Sequence, residues 1–204
     1  MPKKVFIMSF GSDAGGIEKS LIEFLNLLSE RDLDIDLYLW RKPGILFQYI
    51  PKKVNIISKR LCPGSLKDGL HDSKVLYVVY IFWYFIFRLF RILGWRYNAF
   101  LPIKKEYDIA ISYCQNGYSP YYVIDKINAK KKYLWYHHGS YDKKAKEKLF
   151  DIRYYNKYNK IITVSKANKV MLEKHFPFLS GKILVIPNLI NEEEIIRKSK
   201  EFKI

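Results

Sequence analysis

Short apolar runs alternate with longer polar or amphipathic segments along the chain. The first run, residues 5–8, ends at a glycine-rich segment, and the run at 34–40 ends before Pro43 and Gly44, which together favour a turn. Similar runs rich in Ile, Val, Leu or Tyr occupy residues 54–57, 108–112, 132–136, 160–164 and 182–186. Their lengths and compositions predict buried strands.

The segments between these runs suit helices. Ile17, Leu21, Leu25 and Leu28 recur at the spacing of one helical face, and residues 142–159 and 166–175 are long enough to hold further helices. Strands that alternate with helices predict an α/β fold with a doubly wound, mainly parallel, Rossmann-like sheet. A last helix is expected from Asn191 onwards, because an Asn cap precedes three acids there.

Residues 75–87 form a run of thirteen uncharged residues, followed by Arg88 and further arginines. As a helix this run is about 20 Å long, shorter than the roughly 30 Å hydrocarbon core, so a membrane-spanning segment is not predicted. Trp83 and its aromatic neighbours favour a membrane-associating helix over residues 75–93, lying in the headgroup boundary. The alternative is a core helix with its aromatic rings buried under the sheet, and both stay open.

The composition is that of a globular chain with a strong positive charge. Of 204 residues, 49% are hydrophobic, which excludes disordered and low-complexity classes. The formal net charge of +16 predicts an anionic partner, and residues 126–160 alone contain eleven Lys and Arg against three acids. This concentration favours an anionic membrane surface and phosphorylated ligands.

Only two cysteines occur, Cys62 and Cys114, and the first residues lack the apolar stretch of a secretory signal. A reducing, cytoplasmic compartment is therefore expected. Together with the aromatic helix and the basic segment, this predicts a peripheral protein on the inner face of the plasma membrane.

A pair of glycines, Gly15 and Gly16, stands between the first predicted strand and the first predicted helix. Such a turn forms an anion site, because unpaired N–H groups and the positive end of the helix dipole face the same point. The alternative is that glycine only serves the turn. Neither a Gly-x-Gly-x-x-Gly nor a P-loop motif is present, so the dinucleotide and P-loop interpretations are not favoured.

Four segments together resemble one family. The first is the Gly15-Gly16 pair with the Ile-Glu that follows it, which resembles the Gly-Gly-apolar-Glu loop of family 4 glycosyltransferases of the GT-B fold. Three later segments are similar to that family in the same order: residues 135–137, 161–166 and 183–188. The chain therefore resembles the N-terminal, acceptor-side domain of such an enzyme.

The resemblance implies a retaining, metal-independent transfer of a sugar from a nucleotide-sugar donor, with no cofactor. Residues 1–190 are then the Rossmann-like acceptor domain and 191–204 the start of a linker. The donor domain, which holds most of the nucleotide in the family, has no place in these 204 residues. Transfer by the isolated chain is therefore not expected.

The resemblance also implies roles for particular residues. Gly15 and Gly16 would approach the donor diphosphate, and His137 would contact the acceptor or the transition state, with His138 as the fallback. Ser165 and Asn188 would face the cleft between the domains. The alternatives are a ligand-free surface histidine pair, and for Ser165 and Asn188 simple helix caps.

Other patterns carry competing interpretations. Asp34 and Asp36 imitate an Asp-x-Asp metal motif, but they open a strand, so a solvated strand entrance is predicted and no metal site. As to function, the family suggests a bacterial surface polysaccharide pathway, such as a capsule, with a lipid-linked acceptor saccharide. The alternatives are a non-catalytic Rossmann-like binding protein and a basic nucleic-acid-binding module. The second lacks any recognised nucleic-acid motif, so no nucleic-acid partner is expected.

Overall fold

The computed structural model describes residues 1–9, 15–39, 44–57, 74–92, 102–190 and 192–201. The strands are β1 (Lys3–Ser9), β2 (Leu33–Leu39), β3 (Asn55–Ile57), β4 (Ile103–Ser112), β5 (Ile127–Tyr136), β6 (Lys160–Thr163) and β7 (Ile183–Val185). The helices are α1 (Gly16–Ser29), α2 (Lys74–Ile92), α3 (Ser119–Lys126), α4 (Ala145–Tyr155), α5 (Lys166–His175) and α6 (Glu192–Ser199). Two short 3-10 helices occupy Ile45–Tyr49 and Pro177–Leu179.

The seven strands form one sheet in the order β3-β2-β1-β4-β5-β6-β7, and every neighbouring pair is parallel. The predicted α/β, doubly wound, Rossmann-like fold is confirmed. The strand order reverses between β1 and β4, and the carboxyl ends of the strands beside such a switch point are where open α/β sheets bind ligands.

Both faces of the sheet are covered, which explains why the strands are apolar without alternation. Along β1, Val5 and Ile7 pack on the face that α1 covers, whereas Phe6 and Met8 pack on the opposite face. The first face buries leucines of α1, and the second is rich in tyrosine, including several from α3 and α4. The predicted α1 therefore uses the apolar stripe that its sequence shows.

Asp151 is a fully buried carboxylate in the tyrosine-rich face. Tyr121 and Tyr141 donate hydrogen bonds to its two oxygens, and Lys143 forms an ion pair with it at 2.7 Å. Because Tyr141 and Lys143 lie in the segment after β5, this network fixes that segment against α4. Unpaired, a carboxylate buried so deeply would cost several kcal/mol.

Asp34 and Asp36 do not form a solvated strand entrance, so that prediction is wrong for Asp36. Its side chain is 1% exposed, and both carboxylates bind Lys105 Nζ at 2.9 Å. Tyr107 and Asn55 also donate to Asp36, at 2.7 and 2.6 Å. Burial opposes ionisation, but these hydrogen bonds outweigh it and hold the pKa of Asp36 below its ordinary value. The cation that the two acids bind is a lysine of β4.

The described side chains of α2 contribute little to either core. Most of its described side chains are exposed, including Phe82 (66%) and Phe85 (69%), and only a narrow stripe that includes Trp83 is half-buried. The alternative of a core helix with its aromatics under the sheet is therefore wrong for these residues. Within the described part of the chain, no helix is long and apolar enough to cross a membrane.

The basic segment at 126–160 is divided between the two ends of the sheet. Lys126 and Lys160 stand where β5 and β6 begin, while Lys144 and Lys146 lie at the start of α4, beyond the carboxyl end of β5. Ten residues of extended β5 separate the two groups by about 33 Å. Only the second group is near His137.

Candidate functional site

The residues predicted for the site converge at the carboxyl edge of the sheet. Gly15 precedes α1, His137 follows β5 directly, and Asn188 lies three residues after β7. Parallel strands bring these ends to one edge, next to the switch point between β1 and β4. A relay of side chains then links α1 to Asn188 and to the strand end beside His137.

His137 is a half-buried imidazole held by β4. Its backbone N–H donates to Gln115 Oε1 at 3.0 Å, and its Nε2 lies 3.1 Å from the carbonyl oxygen of Tyr113. A carbonyl only accepts, so Nε2 carries the proton and Nδ1 holds the free lone pair. Burial, the largest influence, lowers the pKa of His137 to about 4, so the ring is neutral at pH 7.

Nδ1 of His137 is buried, and no described residue makes a hydrogen bond of good geometry with it. The side chain of Asn188 faces the ring closely enough to raise its pKa slightly, against the larger effect of burial. A buried lone pair beside an amide is suited to accept a proton or a hydrogen bond from a hydroxyl group. His138, by contrast, is exposed and lies 3.4 Å from Asn116 Nδ2.

A hydrogen-bonded relay connects α1 with β4 and with the segment after β7. Ser20 Oγ, which is buried, donates to Asn188 Oδ1 at 3.1 Å and lies 2.9 Å from the hydroxyl of Tyr113. Because the single proton of Ser20 is used toward Asn188, Tyr113 is the donor toward Ser20. Burial raises the pKa of Tyr113 to about 12, so this phenol keeps its proton at neutral pH.

Aromatic rings support the imidazole from the side of α1. The rings of Tyr113 and His137 have centroids 5.0 Å apart, and Trp135 is nearly parallel to His137 at 6.3 Å. Phe24 of α1 contacts both Tyr113 and Trp135, at 5.5 and 4.9 Å. These contacts with uncharged aromatic rings hold the imidazole ring of His137 in place.

Ser165 is a helix cap. Its hydroxyl accepts a hydrogen bond from Asn168 N at 3.1 Å, at the start of α5. The helix-cap alternative is thus correct as far as contacts within the chain go, and a role in a cleft stays a prediction. Asn168, which the sequence analysis did not single out, donates to the carbonyl oxygen of His137 at 3.5 Å and so joins α5 to the site.

The two glycines differ in their surroundings. A methyl group at Gly15 would meet the carboxylate of Glu18 at 2.1 Å, whereas one at Gly16 would meet open space. Gly15 caps α1 without a side-chain hydrogen bond, so N–H groups at the helix start have no side-chain partner from the cap. Nothing within the described chain requires a glycine at 16.

Four buried polar atoms on the α1 side of this edge lack a partner among the described residues. They are Ser9 Oγ, Gln115 Nε2, Trp135 Nε1 and His137 Nδ1. Ser9 ends β1, and the other three lie at the ends of β4 and β5, which are adjacent in the sheet. Buried polar atoms are nearly always hydrogen-bonded, so their concentration here marks a place where water or a hydroxyl-bearing ligand would complete the bonding.

Comparison with known families decides the class of protein. The profile described as Glycosyltransferase Family 4 matches residues 14–194. The chain belongs to this family. The resemblance drawn from the glycine pair and the three later segments is confirmed, and the observed fold is that of the GT-B glycosyltransferases. A comparison with curated proteins finds no match.

Solved structures agree in fold. A glycosyltransferase from Rickettsia africae ESF-5 matches 99% of this chain and 50% of its own length, with 17% identity and a TM-score of 0.54. Anabaena Alr3699/HepE, in complex with UDP and glucose, matches 94% of this chain and 46% of its own length, with 15% identity and a TM-score of 0.51. The chain therefore spans about half the length of these two solved structures.

Sequence reasoning missed Ser20, Tyr113, Gln115 and Asn168. A signal was present for two of them, because Tyr113 and Gln115 follow a predicted strand and so stand at the carboxyl edge by the same argument that located His137. Ser20 gave no such signal. It lies within a helix, and its partners are 93 and 168 residues away in the chain.

Proposed function

We propose that the chain is the N-terminal, acceptor-side half of a glycosyltransferase that moves a sugar from a nucleotide-sugar to a lipid-linked acceptor in bacterial surface polysaccharide synthesis. The observation that carries this proposal is the convergence of the helix α1, His137 and Asn188 at one edge of a family 4 fold. Transfer with retention and without a metal ion is part of the proposal and rests on the family resemblance.

The donor is proposed to be a nucleoside diphosphate sugar. The Anabaena protein of the same fold was solved with UDP and glucose, and it supplies the precedent for that class of ligand. On this chain, no side chain of the cap residue binds the start of α1 and a methyl group at Gly16 would meet open space, so we place the diphosphate at this helix start. Most nucleotide contacts are proposed to come from a donor domain, as the family resemblance implies.

His137 is proposed to act on a hydroxyl group. Its neutral ring has Nε2–H bound to the carbonyl of Tyr113, so Nδ1 accepts a hydrogen bond from a hydroxyl of the donor sugar or acceptor. The unpartnered Gln115 Nε2 and Ser9 Oγ supply a further donor and a hydroxyl on the neighbouring strands. Together these groups suit a polyhydroxylated ring better than a flat apolar ligand.

The test is transfer from radiolabelled nucleotide-sugars to a bacterial lipid extract. We expect incorporation when the chain is combined with its donor domain, on one polypeptide or in trans, and none with either part alone. Activity should survive EDTA, and His137→Ala should lower kcat/KM about 100-fold, the order expected when a substrate hydroxyl loses the group that positions it. His138→Ala is the matched control and should be near wild type. Absence of transfer from every donor would favour the non-catalytic binding alternative.

Membrane association is proposed through α2, because several of its described aromatic side chains are exposed. The exposed lysines at the start of α4 would add attraction to anionic headgroups, at about 1 kcal/mol for each basic residue near the surface. The location would be the inner face of the plasma membrane, where a lipid-linked acceptor is within reach.

Sedimentation with liposomes tests this part separately. The chain should pellet with anionic but not neutral vesicles, and salt should release it. Phe82→Asp combined with Phe85→Asp should abolish pelleting, whereas Val170→Asp, equally exposed but on α5, should not. Binding that is indifferent to lipid charge, or unaffected by the double substitution, would contradict the proposal.

A further inference from the structure

We infer that Ser20 is a positioning residue for the His137 site: it holds Asn188 beside the imidazole and so ties α1, β4 and the segment after β7 to one ring. The inference rests on the proposed function only for the importance of His137. Its test is a titration of this chain alone, so the two can fail separately.

The hydrogen bonds among Tyr113, Ser20 and Asn188 all run in one direction. Tyr113 donates to Ser20, and Ser20 donates to Asn188 Oδ1, at 2.9 and 3.1 Å. The side chain of Asn188, held in this way, also contacts the ring of His137. The backbone carbonyl of Tyr113 accepts from Nε2 of the same imidazole. Tyr113 therefore binds both residues: its hydroxyl donates to Ser20, and its backbone carbonyl accepts from His137.

Asn188 and its partner Ser20 differ in their exposure to solvent. Asn188 is an exposed residue in an exposed segment, yet its side chain is bonded to a hydroxyl that is 4% exposed. Its other polar contact among the described residues is with the ring of His137, where its influence is small. Without Ser20 the side chain would be free to turn into solvent, at a gain of rotamer entropy. The hydroxyl of Ser20 is thus the anchor that keeps Asn188 against the ring.

The position of Asn188 has a consequence for His137. Nδ1 is buried and the Asn188 side chain contacts the ring, so we take Asn188 to be among the groups that keep water from this nitrogen. Release of Asn188 would admit water to Nδ1. Burial lowers the pKa of this histidine more than any other influence, and the direct effect of Asn188 is the smallest. Hydration of the ring should therefore raise the pKa.

The relay also joins two parts of the chain that are far apart in sequence. Segment 186–190 follows β7 and leads to α6, and α1 begins at the glycine pair. A shift of either element would be felt at Nδ1 through Ser20.

The experiment is an NMR titration of the His137 ring carbons in the 204-residue chain and its variants. Ser20→Ala should raise the His137 pKa by about one unit toward 6.5, because the shield is lost. Asn188→Ala should give the same rise, and the double variant no more than either alone. Ser20→Thr, which keeps the hydroxyl, should titrate like the wild type.

Ser29→Ala is the matched control, because Ser29 is also on α1 but donates only to Asn26 O. It should leave the titration unchanged. If Ser20→Ala does not fold, Tyr113→Phe removes only the hydroxyl that donates to Ser20 and should shift the pKa in the same direction by less. An unchanged His137 titration in the folded variants, or additive shifts in the double variant, would overturn the inference.

Discussion

His137 shows how the position of a single side chain determines its chemistry. A histidine in water is partly protonated at neutral pH, but this ring is neutral because burial lowers its pKa and a carbonyl takes the only N–H. The residue type and its place after a strand were predictable from sequence. Its tautomer was not, because Tyr113 meets it from another strand.

The neutral state of His137 has a consequence for stability. Between about pH 4 and 6.5 the unfolded histidine binds a proton that the folded one does not, so unfolding takes up a proton and stability falls as pH drops. The loss should approach roughly 3 kcal/mol near pH 4. Urea unfolding at pH 7 and at pH 4.5 measures it, and His137→Asn should lack this part of the slope. Equal slopes in the two proteins would refute the lowered pKa.

A second prediction at the scale of single residues concerns Asp36, which is an acid where His137 is a base. Asp36→Asn should destabilise the chain by about 2–3 kcal/mol, somewhat less than a fully buried pair, because Lys105 keeps Asp34 and is partly exposed. Asp34→Asn, at the exposed end of the same pair, should cost below about 1 kcal/mol. Chemical denaturation at pH 7 compares the two, and similar losses would contradict the buried role of Asp36.

Acid should remove the same stabilisation. The folded pKa of Asp36 is lowered, so its contribution is present above the unfolded value near 3.9 and is lost as pH falls through the folded value. The window lies below that of His137. The two groups therefore separate in a pH series.

At the scale of elements, α1 connects sequence with site most directly. Its apolar stripe could be predicted because helical periodicity involves only residues close in sequence, and its start could be predicted from the two glycines. The course of the basic segment was not, since residues adjacent in sequence are carried to opposite ends of the sheet by β5. The exposure of α2 was also left open, because a long apolar run suits a core and a membrane surface equally well.

The start of α1 yields a prediction that separates folding from binding. Gly16→Ala should leave thermal stability within about 1 kcal/mol of wild type, because a methyl group there meets open space and alanine favours helix. With the donor domain present, KM for the nucleotide-sugar should rise, since the methyl would occupy the proposed diphosphate position. Ser29→Ala on the same helix is the control for KM. An unchanged KM would remove Gly16 from the donor site.

At the scale of the whole molecule, sequence alone was enough for the α/β class, the parallel sheet and the family. It was not enough for the relay among Tyr113, Ser20 and Asn188, because those contacts exist only once strands far apart in sequence are adjacent. The reason for this difference is physical. Hydrophobic periodicity reports local structure, whereas long-range hydrogen-bond partners are determined only when the sheet has assembled.

The strand order also affects how the chain folds during its synthesis. Val5 of β1 pairs with Ile109 of β4, so one side of β1 stays open while about a hundred residues, including α2, leave the ribosome. Chains that end at residue 92 should be digested rapidly by protease, and chains that extend through β5 should resist. Until β4 arrives, a nascent chain carries both an unpaired strand and an exposed aromatic helix, which is when a chaperone would be needed most.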